Sequence, residues 1–149
     1  MVDIELVKKL REETQASISD CRKALEESGG DYKKALVWLQ KRGAEIAEKK
    51  ADRKTSAGIV EVYVHGGGKI GVLVTLLCET DFVARTQEFK NLAHEIALQI
   101  SAMNPKDVRS LLAQEYIRDP QMTIEELIKS VIGKVGENIQ IREFSRLEL

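Results

Sequence analysis

The sequence predicts an α+β fold, and three changes of pattern carry that expectation. Apolar residues recur at helical spacing through the first forty residues, switch to a period of two from Gly58, and return to helical spacing from Phe89. A last segment, "IQIREFSRLEL", reads as a final strand. The expected architecture is a three-helix module over residues 1–40, a charged linker or helix over 41–57, and an α+β core over 58–149. That core is a small antiparallel sheet packed with helices.

In the first helix Ile4, Val7 and Leu10 form one stripe, and Asp3 stands where an N-cap acceptor is needed. Ser17 or Ser19 starts a second helix carrying Cys21, Ala24 and Leu25, which Gly29-Gly30 stops. Asp31 caps a third, with Tyr32, Ala35, Leu36 and Leu39 on its apolar face and Gly43 as its expected end. Three short helices bury little, so one apolar-edged face is expected to remain for a partner. Residues 41–57 interleave Lys and Arg with Glu45, Glu48 and Asp52 and lack aromatics for stacking bases. Such a run is a solvated connector rather than a nucleic-acid patch.

The core opens with "GIVEVYVH" and "KIGVLVTLLC", two β-branched runs joined by Gly66-Gly67-Gly68. This is the pattern of a hairpin, with Val60, Val62 and Val64 on one face of the first strand and Ile70, Val72, Val74 and Leu76 sharing a face of the second. A helix follows, in which Phe89, Leu92, Ala93, Ile96 and Ile100 lie on one side, ending before Pro105. After a stretch without a clear period comes a helix through Ile124, Leu127, Ile128, Val131 and Val135, with Thr123 and Glu126 as a capping box.

Composition narrows the function. At 149 residues the chain can hold one good core, or a small module and a modest domain. A net charge of −1 provides no global basic field for nucleic acid. No apolar run approaches the roughly 20 residues that span a bilayer. "MVDIELVKKLREE" has neither the apolar stretch of a secretory signal nor the acid-poor composition of a transit peptide, so a cytoplasmic protein is expected. Cys21 and Cys78 lack metal spacing and read as small core side chains.

Motifs for chemistry are sparse. "HGGGKI" lacks the second half of a phosphate-binding loop, because Ile70 replaces the Ser or Thr and a strand follows the glycines. His65 and His94 have no ligand partners nearby in sequence, and no Ser or Cys sits in a nucleophile signature. No metal or cofactor is expected, and nothing in these motifs argues for an enzyme. "CETDFVARTQEF", residues 78–89, is the segment that raises a question. Its Asp81 and Phe82 have two readings: a turn acid beside a core ring, or an acid and an aromatic anchor exposed together on a rigid corner.

Three segments resemble the elongation factor Ts family. "IGVLVTLLCETDFVARTQEFKNLAHEIA" is similar to the family signature in which an apolar strand runs into C-x-T-D-F-V-A. "LVKKLREETQASISDCRKALEESGGDYKKALVWLQKRG" resembles its N-terminal module, itself similar to ubiquitin-associated (UBA) domains. "TIEELIKSVIGKVGENIQIREFSRLEL" resembles its closing helix and strand. Together these cover most of the chain in the family's order.

The resemblance implies a guanine-nucleotide exchange factor, not an enzyme, whose partner is elongation factor Tu. It implies that Thr80, Asp81, Phe82 and Val83 act at the magnesium and nucleotide site of that GTPase, with Phe82 as a wedge and Asp81 disturbing the magnesium environment. Leu6, Arg11, Ile18, Ser19 and Asp20 match the docking part of the N-terminal module. The chain departs from the pattern in having Ser17-Ile18-Ser19 before Asp20-Cys21, where many members carry bulkier residues. It also passes quickly from "SAMNPKDVRSLLAQEYIRD" to the closing helix, as a short form with one core copy would. A single copy of a dimerisation-type core implies a homodimer, for which a free sheet edge is a physical motive. Two other classes stay open at this point. One is a UBA-type adaptor indifferent to Asp81 and Phe82; the other is an enzyme using Asp81, Cys78 or His94.

Overall fold

The computed structural model describes residues 1–149. Three helices come first: α1 (Ile4–Thr14), α2 (Ile18–Glu27) and α3 (Tyr32–Lys50). Each begins where the sequence offers a cap: Asp3 accepts from Glu5 N, Ser17 from Asp20 N, and Asp31 from Lys34 N. Val7, Leu10, Cys21, Ala24, Leu25, Ala35 and Leu39 form the core of this module.

Gly43 does not end the third helix, contrary to expectation. Helix α3 continues to Lys50, so most of the charged 41–57 segment is helix, and Ala47 is buried in the second core. The cause is tertiary. Gly43 faces Gly133 across the crossing of α3 with α7 (Ile124–Val135), and a Cβ on Gly133 would come within 3.2 Å of Gly43 Cα. The close approach depends on the missing Cβ of Gly133, and the packing of α3 on α7 that it permits offsets the helix propensity lost at Gly43. Lys50 then donates its ammonium to the Gly136 carbonyl at the end of α7.

The second core is built on a three-stranded antiparallel sheet of order β1-β2-β5, comprising β1 (Ala57–His65), β2 (Ile70–Cys78) and β5 (Gln140–Glu148). Gly66, Gly67 and Gly68, all at positive φ, make the β1–β2 turn. At Gly58 a Cβ would lie 2.2 Å from the Leu76 carbonyl oxygen, so only glycine fits where β1 starts against β2. On the inner face Val72, Val74 and Leu76 are buried against α5 (Gln87–Met103), whose Phe89, Leu92, Ala93, Ile96 and Ile100 form the facing stripe. Half of the expected capping box of α7 forms: Thr123 Oγ1 accepts from Glu126 N, while Glu126 Oε1 takes the Thr123 hydroxyl proton rather than its backbone N–H.

Between α5 and α7 lie α6 (Val108–Ala113) and a two-stranded hairpin, β3 (Glu115–Tyr116) with β4 (Asp119–Thr123). The sequence offered no period here because these elements are too short to show one. A buried amide holds them: Gln99 donates to Gln114 Oε1 and the Glu115 carbonyl and accepts from Ile117 N.

The stripe of Val60, Val62 and Val64 shares one face as read, and that face is the one turned away from α5. All three remain about 60% exposed. The register sets them in rows with β2 and β5: Val60–Thr75–Glu143, Val62–Leu73–Ser145 and Val64–Gly71–Leu147. Leu73 and Leu147 are exposed as well, and Glu143 is the one charge in these rows. No helix is long and apolar enough to cross a membrane.

Candidate functional site

Strand β2 ends at Cys78, and the chain turns through a single four-residue helix, α4 (Asp81–Ala84), before entering α5. Two threonines shape this corner. Thr80 Oγ1 accepts from Val83 N and caps α4; Thr86 Oγ1 accepts from Phe89 N, caps α5, and donates to the Val83 carbonyl at 2.7 Å. Val83 and Ala84 are buried in the core beneath, and Phe89 is fully buried in the first turn of α5.

With Val83 and Ala84 turned inward, helical spacing sends their two predecessors outward. Phe82 is 81% exposed, against none for Phe89. Asp81 is exposed beside it. The core-ring reading of Phe82 is therefore wrong, and so is the turn-acid reading of Asp81. Thr80 supplies the cap, which leaves the Asp81 carboxylate free. The structure places a carboxylate and an unsupported aromatic ring side by side on a corner anchored by Thr80, Val83, Ala84 and Thr86.

The corner is tied to distant parts of the chain. Glu137, just past α7, accepts from Glu79 N at 3.1 Å, Thr80 N at 3.0 Å and the Thr80 hydroxyl at 2.7 Å. Glu79 in return accepts from Asn138 N at 2.9 Å and lies 3.7 Å from the Arg53 guanidinium. The buried Asn138 amide donates to the carbonyls of Ala51 at 3.2 Å and Arg53 at 2.9 Å. Sequence reading missed Glu137, Asn138, Glu79 and Arg53. The one available signal was the Gly136-Glu137-Asn138 run at the end of α7, and no local pattern connects it to Thr80.

Cys78 lies directly under the corner with its thiol 3.2 Å from the Thr80 carbonyl. Burial pushes its pKa up, and the Glu137 charge adds to that, which is opposite to the activation a nucleophilic thiol needs. His94 stands on α5 beside Glu61 and edge-on to Tyr63. No group of three or more His, Cys, Asp or Glu side chains is arranged to hold a metal ion.

The candidates in the N-terminal module are not equivalent. Ile18 and Ser19 are exposed on the first turn of α2, and Arg11 is exposed near the end of α1. Leu6 packs half-buried against the module's core. Asp20 accepts a hydrogen bond from Ser17 Oγ at 2.9 Å and sits 4.0 Å from Arg42 on α3. Ile4 and Val37 are further exposed apolar side chains of the module.

Comparison with known proteins gives a consistent assignment. The family model described as Elongation factor TS matches residues 79–149, a span that begins at this corner and includes Glu137. The chain is 40% identical to Elongation factor Ts of Caldanaerobacter subterraneus subsp. tengcongensis, covering 99% of this chain and 96% of that protein. It is 41% identical to Elongation factor Ts of Thermotoga petrophila, with the same two coverages. Against Elongation factor Ts of Synechococcus sp. the identity is 41%, over 99% of this chain and 69% of the relative. The first two alignments run over 193 and 191 residues against 149 here, so those relatives carry internal positions that this chain lacks. Similarity of this extent along nearly the whole chain means that the protein belongs to the elongation factor Ts family.

Proposed function

We propose that this protein is a guanine-nucleotide exchange factor of translation elongation, which binds elongation factor Tu carrying GDP and speeds release of the nucleotide. It acts by contact and has no catalytic chemistry of its own. The observation that carries this reading is the exposed Asp81–Phe82 pair on an anchored corner. A ring that is 81% exposed gains most of its burial energy only when a partner encloses it. Buried aromatic anchors are worth roughly 2–4 kcal/mol in protein interfaces.

The GTPase holds GDP partly through Mg²⁺, which bridges protein and phosphate oxygens. Phe82 is the wedge that displaces a packed element of the partner, and Asp81 brings a negative charge that competes in the magnesium environment. Thr80 and Val83 act from behind, one as cap and one as core anchor. Linkage requires the effect to be reciprocal: a factor that weakens GDP binding is itself weakened by GDP. The UBA-like N-terminal module docks on the GTPase through Arg11, Ile18 and Ser19, with Leu6 and Asp20 supporting that surface.

A second copy of the chain covers the outer face of the sheet in this reading. Rows containing Val60, Val62, Val64, Leu73 and Leu147, with one charge among them, suit a self-complementary apolar contact better than solvent.

The test of exchange is release of labelled GDP from elongation factor Tu. The wild type accelerates release, Phe82→Ala loses roughly thirtyfold for about 2 kcal/mol of lost anchoring, and Asp81→Ala is also slower. No acceleration by the wild type refutes the function. Full activity of Phe82→Ala refutes the role of the ring.

A further inference from the structure

We infer that Glu137 is the positioning residue of the Asp81–Phe82 tip, holding Thr80 so that the ring is presented before any partner arrives. The inference rests on the exchange reading for its consequence and on hydrogen-bond geometry for its substance.

Helix α4 has four residues, too few to sustain itself, because the first helical turn fixes several dihedrals for little hydrogen bonding. Something outside α4 has to hold its start. Glu137, 57 residues beyond Thr80, does so with both oxygens. Oε1 accepts the backbone N–H groups of Glu79 and Thr80, and Oε2 accepts the Thr80 hydroxyl proton.

The hydroxyl bond carries the consequence. Once its proton is committed to Glu137 at 2.7 Å, the Thr80 oxygen offers lone pairs to Val83 N at 3.3 Å, which is the cap of α4. Glu137 therefore selects the Thr80 rotamer in which the cap exists. The cap in turn keeps Val83 and Ala84 inward and Phe82 outward. An ionised carboxylate is suited to this task because it accepts three bonds on two oxygens, each charge-assisted. A glutamine has one acceptor oxygen and an alanine none.

Glu137 is itself held. Asn138, the next residue, binds Glu79 through its backbone N–H and the carbonyls of Ala51 and Arg53 through its side chain. The tip thus takes its orientation from the end of α7 and from the segment that follows α3. A ring oriented beforehand gives up less freedom on binding, so more of its burial energy is available to act on the partner.

The experiment combines two readouts on Glu137→Ala, Glu137→Gln, Phe82→Ala and the Glu137→Ala/Phe82→Ala double variant. In labelled-GDP release from elongation factor Tu, Glu137→Ala is expected to lose about tenfold, with Glu137→Gln intermediate. In the Phe82→Ala background Glu137→Ala should cause a much smaller further loss, because Glu137 acts mainly through the ring and only the Asp81 part of the tip remains to be misplaced. In amide hydrogen exchange of the free protein, Glu137→Ala should lose protection at Glu79, Thr80 and Val83 while central β2 and α5 stay protected. Independent, multiplying losses in the double variant overturn the proposal, as does unchanged protection at those three amides. Hydrogen exchange needs no partner. An inert wild type would therefore overturn the exchange reading alone, and the three amides would still decide the positioning.

Discussion

Ala substitutions at the two glycines of the α3–α7 crossing should have opposite effects, although both sit within helices. Gly43 is a helix-interior residue, and a Cβ added there meets no heavy atom within 4 Å. Gly43→Ala therefore keeps the gain in helix propensity and should stabilise by about 0.5–1 kcal/mol. At Gly133 the same Cβ lands 3.2 Å from Gly43 Cα, a backbone atom that cannot rotate away. There the propensity gain is offset by crowding, and the net effect should lie between zero and about 1 kcal/mol of destabilisation. Gly133→Leu should destabilise by about 1–3 kcal/mol, the usual range for overpacking. Urea unfolding measures both. Far-ultraviolet circular dichroism follows the whole chain, and Trp38, the only tryptophan, follows the N-terminal module by fluorescence. Equal stabilisation by Gly43→Ala and Gly133→Ala would refute the close crossing. Destabilisation by Gly43→Ala would refute the helix-interior conformation, because alanine is costly where a helix-stop glycine has positive φ.

Two further outcomes test other parts of the molecule. Val62→Lys with Leu73→Lys places two charges in the central row of the outer sheet face and should convert a dimer to a monomer in sedimentation equilibrium; a monomeric wild type at working concentrations, fully active in exchange, sinks the dimer. Tyr116, desolvated by burial and donating to Glu95 at 2.7 Å, has its pKa pushed up to about 12. A raised folded-state pKa means that its contribution is fully present below the ordinary phenol pKa near 10 and disappears as pH rises through about 12. Over that window the wild type should lose up to about 3 kcal/mol of unfolding free energy that Tyr116→Phe does not lose. Parallel curves for the two proteins would show that the hydroxyl is not coupled to folding.

Most of the elements were legible because their signals are local. Asp3, Ser17, Asp31 and Thr123 cap helices where the sequence places them, since a side-chain oxygen two or three residues before an unpaired N–H needs no distant help. The β1–β2 hairpin followed from period two and three adjacent glycines. The β3–β4 hairpin was not legible, because it is held by the Gln99 amide from another element rather than by a period of its own.

The candidate site divides the same way. The sequence by itself determined the α+β class, the caps, the family, and the identity of Thr80, Asp81, Phe82 and Val83 as the segment to watch. Tertiary structure alone decided that Phe82 points to solvent while Val83 and Ala84 anchor the corner. It also decided that Val60, Val62 and Val64 lie on the uncovered face, and that α3 runs past Gly43. The reason in each case is that local pattern assigns residues to faces, whereas only packing assigns faces to core or solvent. Glu137 is the extreme instance. It lies far along the chain from Thr80, and nothing short of the folded backbone brings its carboxylate to the residue it holds.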